Sequence, residues 1–129
     1  MLWDNFLGKQ YEPDGRGPDF YDCYGLCISV LKEQGVEIPD IQVGQELSTQ
    51  HHRFLYESAT NFKKVQKPLP FCLVAFSLKS PYVNHIGVVH PDKDKFIHLL
   101  NRRPVCVENL NLLSWKNRLV GYYVYGTVN

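Results

Sequence analysis

The spacing of apolar side chains divides the chain into a helical first part and a strand-rich second part. Residues 1–22 hold several glycines and prolines and predict a short lead-in followed by a loop. From Asp22, which is placed to act as N-cap, apolar positions recur at a helical spacing until Gly35, a residue typical of helix ends. The pattern predicts a buried helix with Cys23 at its exposed tip. The predicted stripe comprises Cys23, Cys27, Val30, Leu31 and Gln34.

The second part of the chain, after Pro68 and Pro70, consists of short runs rich in β-branched and aromatic residues. These runs are FCLVAFSL, NHIGVVH, KFIHLL, RPVCVEN and LVGYYVYGTV, and PDKDK between the second and third predicts a hairpin turn. Between the two parts, VGQELSTQHHRFLYESATNF predicts a second helix, and LNLLSWKNR near the end predicts one or two helical turns. This order of elements predicts an α+β fold in which the helical part packs on a central antiparallel sheet.

Composition and charge limit the architecture and the partners. The chain has 129 residues, 44% of them hydrophobic, which suits a single globular domain over residues 1–129. Its net charge of +1, with acidic and basic residues interspersed, provides no basic stripe, so we expect no nucleic-acid partner. No run approaches the roughly 18 apolar residues of a membrane span, and the first residues lack the pattern of a signal peptide. We expect a protein made in the cytoplasm, where its four cysteines stay free thiols.

Cys23 is a candidate nucleophile because of its place in the predicted helix. The first turn of a helix carries unpaired backbone N–H groups at the positive end of the helix dipole, and both favour a thiolate over a thiol. A free cysteine is also a common small hydrophobic residue of protein cores. The position of Cys23 alone therefore leaves both interpretations open.

His85 and His98 lie in the two strands joined by the predicted hairpin, thirteen positions apart. Residues of matching parity in paired strands point to one face of a sheet, so the two imidazoles can be neighbours. A cysteine nucleophile needs one imidazole to take its proton and a second polar group to orient that imidazole. We predict Cys23 as nucleophile, His85 as base and His98 as orienting residue, with Asn101 as the next candidate for the third role. Taken singly, each histidine is more often an ordinary strand residue.

Zinc binding is a different chemistry that the same residue types permit. Cys23 and Cys27 are four positions apart on a helix, which would place two ligands on one face beside His85 and His98. The position of Cys23 at the helix tip suits a nucleophile better than a metal ligand. We therefore expect neither a metal nor an organic cofactor.

Two motifs, in this order, carry a resemblance to a known family. YDCYGLCISVLKEQGVEIPD resembles the Asp-Cys-x-Gly-Leu motif of the NlpC-type cysteine peptidases, which are bacterial cell-wall endopeptidases of the papain-like class. NHIGVVHPDKDKFIHLL resembles the strand of that family that contains the base, followed about a dozen residues later by a second histidine. Upstream, FLGKQYEPDGRGPDFYDC is similar to the family's lead-in and places Tyr11 twelve positions before Cys23.

The resemblance spans residues from about Phe6 to Tyr125 and implies a papain-like NlpC fold with a Cys23, His85 and His98 triad. It implies that Tyr11, Asp22 and Tyr24 lie on the oxyanion and substrate side of the site. The implied substrate is a peptidoglycan stem peptide, typically cut at the γ-D-glutamyl-meso-diaminopimelate bond.

One branch of the family, the phage tail assembly proteins of the K type, is similar in further details. These are Tyr24 where wall-remodelling members usually have Ser, and the segments GVEIPD, FIHLL and WKNRLVGYYVY. This similarity implies synthesis in a bacterial cytoplasm, incorporation in a phage or prophage tail, and phage tail proteins as partners.

The chain also departs from the family pattern, and other functions stay open. QKPLPFCLVAF replaces the Gly-Asp turn that usually leads into the first strand, and the insert around His51 matches no family motif. A structural tail protein with little or no turnover would keep the same fold. A third function is Cys/His amidase or acyltransferase chemistry on another substrate, because one fold supports several reactions.

Overall fold

The computed structural model describes residues 2–40, 62–79 and 83–126. Within these ranges the chain forms two short strands, a helix, a strand-rich region and one further helical turn. In chain order the elements are β1 (Gln10–Tyr11), β2 (Phe20–Tyr21), α1 (Cys23–Glu33), β3 (Phe62–Val65), β4 (Leu73–Phe76), β5 (His85–Val89), β6 (Lys95–His98), β7 (Cys106–Asn109), α2 (Leu113–Lys116) and β8 (Leu119–Tyr125).

Strands β3 to β8 form one six-stranded sheet in the order β3-β8-β4-β5-β6-β7, and every neighbouring pair is antiparallel. β1 and β2 pair in parallel as a separate two-stranded ribbon just before α1. The predicted hairpin joins β5 to β6, and its turn is closed by a hydrogen bond from the His90 amide to the Lys95 carbonyl. The α+β prediction with an antiparallel sheet is confirmed.

Helix α1 begins and ends where its sequence predicts. The Asp22 side chain accepts a hydrogen bond from the Gly25 amide, which satisfies one of the unpaired donors of the first turn. Gly35 follows the C-cap with φ of +79°, a left-handed conformation in which glycine has no steric penalty.

The central strands β8, β4, β5 and β6 place residues in two different hydrophobic clusters, because the sheet has two covered faces. α1 packs on one face, where Leu73 and Ala75 of β4 contribute to the larger cluster. On the opposite face Val74 and Phe76 of β4 join a smaller, aromatic cluster that includes Trp115 of α2. The two faces separate a conventional core from an aromatic layer.

Two sequence expectations differ from the structure. Cys23 is not an exposed tip, because only 4% of it is accessible to solvent. β3 begins at Phe62, the last residue of the predicted second helix; the rest of that helix lies outside the described residues. No helix among the described residues is long and apolar enough to cross a membrane.

Candidate active site

The rings of His85 and His98 meet on the aromatic face of the sheet. His85 Nε2 and His98 Nδ1 are 2.8 Å apart, a direct hydrogen bond between two buried imidazoles. Continuing the β5–β6 register, in which Val88 faces Ile97, places Gly87 opposite His98. The two histidines are therefore diagonal cross-strand neighbours, and the predicted juxtaposition is present.

Gly87 is the residue that permits this diagonal contact. A Cβ added at Gly87 would lie 2.7 Å from the Ile97 carbonyl oxygen and 3.3 Å from His98 Cβ. The first contact is too close for an alanine without displacement of β6, and the second is tight. The glycine in the HIG segment thus lets two strands approach and lets the imidazole of His98 reach that of His85.

Glu108 of β7 extends the pair into a chain of three side chains. Its Oε2 lies 2.5 Å from His98 Nε2, and its Oε1 accepts a hydrogen bond of 3.3 Å from Trp115 Nε1. A carboxylate can only accept, so His98 carries its proton on Nε2 and offers Nδ1 as an acceptor. His85 then donates from Nε2, which leaves Nδ1 as its basic nitrogen. Glu108 therefore sets the tautomer of both rings.

An aromatic layer encloses the two imidazoles. Trp115 lies edge-on to His98, with ring centroids 4.9 Å apart, and is stacked on His85 at 5.9 Å. Phe76 stacks on His85, and Phe96 lies 4.5 Å from His98. Burial lowers the pKa of His98 below its usual 6.5, although the hydrogen bond that His98 donates to Glu108 opposes this. His98, the middle residue between His85 and Glu108, is therefore uncharged at neutral pH.

Cys23 opens α1 and lines the same pocket as His85. Backbone amides favour the thiolate: those of Cys23 and Tyr24 belong to the first turn of α1, as the helix position predicts, and that of Ile86 comes from β5. Burial and the charge of Asp22 outweigh them and raise the pKa of the thiol to about 12. The direction of this shift is opposite to the one expected from the helix position. The pocket is lined by Tyr11, Cys23, Asn84, His85, Leu99, Leu100 and Asn101.

The three residues expected on the oxyanion and substrate side occupy different places. Tyr11 lines the pocket, and the pKa of its hydroxyl is raised by burial and by the nearby Cys23. Asp22 is buried, where it caps α1 and accepts a hydrogen bond of 2.8 Å from Arg16. Tyr24 is fully buried, and its hydroxyl donates to the Pro39 carbonyl. The side chain of Tyr24 is therefore not a wall of the pocket, because it points into the core behind α1.

Among the described residues, the side chains that could together hold a metal ion are not the four cysteines and histidines considered from the sequence. Cys27 belongs to the larger core cluster. His98 instead lies within reach of Cys106 and Glu108, and these three offer ligand atoms close to one another. All four cysteines are free thiols, as expected.

Glu108 and Trp115 are the site residues that the sequence analysis did not identify. Cys106, Val107 and Glu108 alternate along one strand, and His98 is paired with Cys106 across β6 and β7. The register of these strands would have placed Glu108 beside His98. Trp115 lies in the helical turn α2, to which the sequence analysis assigned no function.

With this geometry established, comparison with known proteins identifies the family. The sequence matches the model of the NlpC/P60 family over residues 8–124. The chain belongs to the NlpC/P60 family. This confirms the predicted family and its fold. No curated protein sequence matches the chain.

Solved structures of NlpC/P60 proteins share the fold. An NlpC/P60 family protein from Bacillus cereus is 25% identical with a TM-score of 0.68, and the match covers 93% of this chain and 36% of that one. A lipoprotein-like NLP/P60 protein from Staphylococcus aureus is 19% identical with a TM-score of 0.67, with coverage of 95% and 38%. The NlpC/p60 domain of the peptidoglycan hydrolase SagA is 20% identical with a TM-score of 0.60, with coverage of 94% and 90%. The chain thus spans less than half the length of the first two proteins.

Proposed function

We propose that the protein is a cysteine peptidase that hydrolyses amide bonds in peptidoglycan stem peptides. The observation that carries the proposal is the unbroken chain from His85 through His98 to Glu108, whose basic end shares a pocket with Cys23. A nucleophile, a base and an orienting group are the parts that thiol-based acyl transfer requires. Membership of the NlpC/P60 family supports the same reaction class.

The resting charges assign the first proton transfer. Because burial holds Cys23 as a neutral thiol, its sulfur becomes nucleophilic only as it loses its proton. His85 Nδ1 accepts that proton while the sulfur attacks the amide carbonyl, and the resulting imidazolium is stabilised through His98 by the charge of Glu108. The proton transfer and the attack are therefore concerted.

The remaining steps follow from the same groups. The carbonyl oxygen becomes an oxyanion, which the Cys23 amide and the Tyr11 hydroxyl can stabilise. His85 returns its proton to the leaving amine, and a thioester to Cys23 remains. Water, deprotonated by His85, then attacks the thioester and releases the acid and the thiol. Asp22 contributes by holding the first turn of α1, on which the Cys23 amide depends.

The finer assignment is the γ-D-glutamyl-meso-diaminopimelate bond, in a phage or prophage tail. The bond is the one implied by the family resemblance of the motifs around Cys23 and His85, and one structural neighbour is described as a peptidoglycan hydrolase. The tail setting and tail-protein partners rest on Tyr24 and on the similarity of GVEIPD, FIHLL and WKNRLVGYYVY to the K-type branch.

Digestion of purified peptidoglycan and of a synthetic stem tetrapeptide, with mass spectrometry of the products, tests both the reaction and the bond. We expect one new amine and one new carboxylate at the γ-D-glutamyl linkage. Cys23→Ser should abolish cleavage, whereas Cys27→Ala, which removes a thiol one turn later on the same helix, should keep it. Intact substrate after incubation with folded parent protein would instead favour the structural tail role. Cleavage of a different acyl bond would favour an amidase or acyltransferase.

A further inference from the structure

Three side chains that can bind a metal ion project from one face of the β6–β7 pair. Cys106 and Glu108 are two positions apart on β7 and so point to the same face, and His98 is the cross-strand partner of Cys106. β7 is the last strand of the sheet, so this face lies at its edge. Strand geometry therefore fixes a nitrogen, a sulfur and an oxygen donor in one place without contribution from a flexible loop.

The distances among the donor atoms are close to those of a tetrahedral zinc site. Zinc bonds of about 2.0–2.3 Å require ligand atoms about 3.3–3.6 Å apart. Cys106 Sγ lies 3.7 Å from His98 Nε2 and 3.9 Å from Glu108 Oε2. The separation of 2.5 Å between His98 Nε2 and Glu108 Oε2 is shorter than a shared zinc ion requires, so the Glu108 carboxylate must move by about 1 Å when the ion binds. Three ligands with one open position match a zinc site that keeps a water.

Exposure and charge are also compatible with an ion at this position. The side chain of Glu108 is 27% exposed and Cys106 is half-buried, so an ion can enter from solvent, whereas His98 is only 1% exposed. A thiolate and a carboxylate together neutralise a divalent cation. Burial and the charge of Glu108 raise the pKa of the Cys106 thiol, and the charge of Arg103 opposes them, so Cys106 has to release its proton when it binds an ion.

We propose that His98, Cys106 and Glu108 form a binding site for Zn²⁺, and that occupation of this site switches off the peptidase. The site shares His98 and Glu108 with the proposed catalytic chain but does not line the pocket in which Cys23 would meet substrate, and Cys106 has no role in the proposed reaction. The inhibitory consequence rests on the proposed function, whereas the binding itself does not.

The switch acts through the positions of two protons. Zinc on His98 Nε2 takes the place of the proton that Glu108 holds there, and the proton of this neutral ring moves to Nδ1. His98 then donates to His85 Nε2, and the single proton of His85 must sit on Nδ1. His85 can no longer accept the proton of Cys23. Each ring keeps one proton, and Cys106 releases its own to solvent when it binds the metal.

Binding is measured first, by calorimetry with Zn²⁺ and by the absorption of the Co²⁺ complex. The Cys23→Ala protein is used, so that a metal cannot bind between the catalytic cysteine and His85. We expect one ion per chain and a thiolate-to-cobalt charge-transfer band. Adding Cys106→Ala should weaken the zinc affinity at least about 10-fold and remove the band. Adding Cys72→Ala, which removes a buried thiol outside the group of His98, Cys106 and Glu108, should change neither the zinc affinity nor the absorption band. A smaller effect of Cys106→Ala, or no binding below about 1 mM Zn²⁺, would overturn the proposal.

The switch is measured by NMR of ¹⁵N-labelled histidines, which reports the tautomer of each ring without any need for activity. We expect Zn²⁺ to move the proton of His85 from Nε2 to Nδ1 in the same Cys23→Ala protein. An unchanged His85 in the zinc-loaded protein would refute the switch. In the active parent, Zn²⁺ should inhibit cleavage reversibly by chelation, and Cys106→Ala should be active and resistant at the same Zn²⁺ concentration. Failure of the proposed function would show differently, as no cleavage without zinc.

Discussion

The two halves of the candidate site are built in different ways. The thiol half is defined by Arg16, Asp22, Cys23 and Gly25, and the imidazole half by His85, His98, Glu108 and Trp115. In the thiol half, residues within ten positions of each other form a helix cap: Asp22 binds both the Gly25 amide and Arg16. In the imidazole half, residues from three strands and a helical turn are joined by register. Local capping thus positions the proposed nucleophile, and long-range pairing positions the proposed base.

The electrostatics of the halves differ in the same way. The thiol half contains charges, because Arg16 pairs with both Asp22 and Asp40 and the charge of Asp22 raises the pKa of Cys23. The imidazole half is enclosed by aromatic rings, and burial lowers the pKa of His98. One half therefore holds a protonated acid and the other holds a neutral base. In the proposed mechanism the proton therefore passes from Cys23 to His85 only when substrate is bound.

Removal of the base should give the largest effect and test whether the halves act as one unit. We expect His85→Ala to reduce kcat by about 10⁴-fold, to near the level of Cys23→Ser, because the thiol then has no acceptor for its proton. The double variant with both Cys23→Ser and His85→Ala should be no less active than either single variant. His90→Ala, which removes another histidine of the same hairpin, is the control and should keep activity. Additive losses in kcat would show that the halves contribute separately.

The next effect is on stability and concerns the thiol half alone. A Cβ added at Gly25 would lie 2.0 Å from the Gly15 carbonyl oxygen, so Gly25→Ala should displace the first turn of α1. We expect a loss of about 3 kcal/mol in the free energy of unfolding, measured by urea denaturation. Gly35→Ala, at the open end of the same helix, meets no atom within 4 Å and should lose only about 1 kcal/mol through its positive φ. Equal losses in the two variants would show that the close approach of the Gly15 carbonyl is not the reason why a glycine occupies position 25.

The same contrast explains what the sequence could predict. The cap at Asp22, the start of α1 at Cys23 and the hairpin at PDKDK depend on neighbouring residues, so local patterns predicted them. His85 and His98 could be paired because one short turn connects their strands. Glu108 and Trp115 come from elements placed by the β6–β7 register and by packing on Phe76 and Phe96, which no local pattern encodes.

The remaining differences have related physical causes. Phe62 starts a strand that contains two lysines, and this short polar run has no clear alternation that would predict β3. Cys23 was expected to be exposed because it begins a helix, but the pocket walls at Tyr11 and His85 cover that helix end. A helix pattern predicts which face is buried but not what packs over its end.

A smaller effect should follow from Glu108, which acts on the imidazole half through His98. Glu108→Ala leaves His98 Nε2 without its acceptor, so the tautomer of His85 is no longer fixed, and we expect kcat to fall about 10- to 100-fold. KM should change little, because Glu108 does not line the pocket. Glu108→Gln should recover part of the loss, since its amide oxygen can still accept from His98. Glu37→Ala removes an exposed carboxylate elsewhere and should be unchanged. A rise in KM together with the fall in kcat, without rescue by Gln, would indicate a merely structural role.

The smallest effect is a shift in pH dependence caused by opening the aromatic layer. Protonated His98 would donate to His85 from Nδ1 and force the proton of neutral His85 onto its basic nitrogen, so activity requires neutral His98. Because burial lowers the pKa of His98, its protonation limits activity only below pH 6.5. The contribution of neutral His98 to the free energy of unfolding is present above that pH and is lost as the pH falls through the lowered pKa. Trp115→Phe admits water and removes the donor to Glu108 Oε1, so the pKa of His98 should rise and the acid limb of kcat/KM should move to higher pH. NMR titration of His98 should show the same displacement, and Lys116→Ala, an exposed change in the same helical turn, should show none. An acid limb that stays in place while the NMR titration moves would mean that another group, not His98, limits activity in acid.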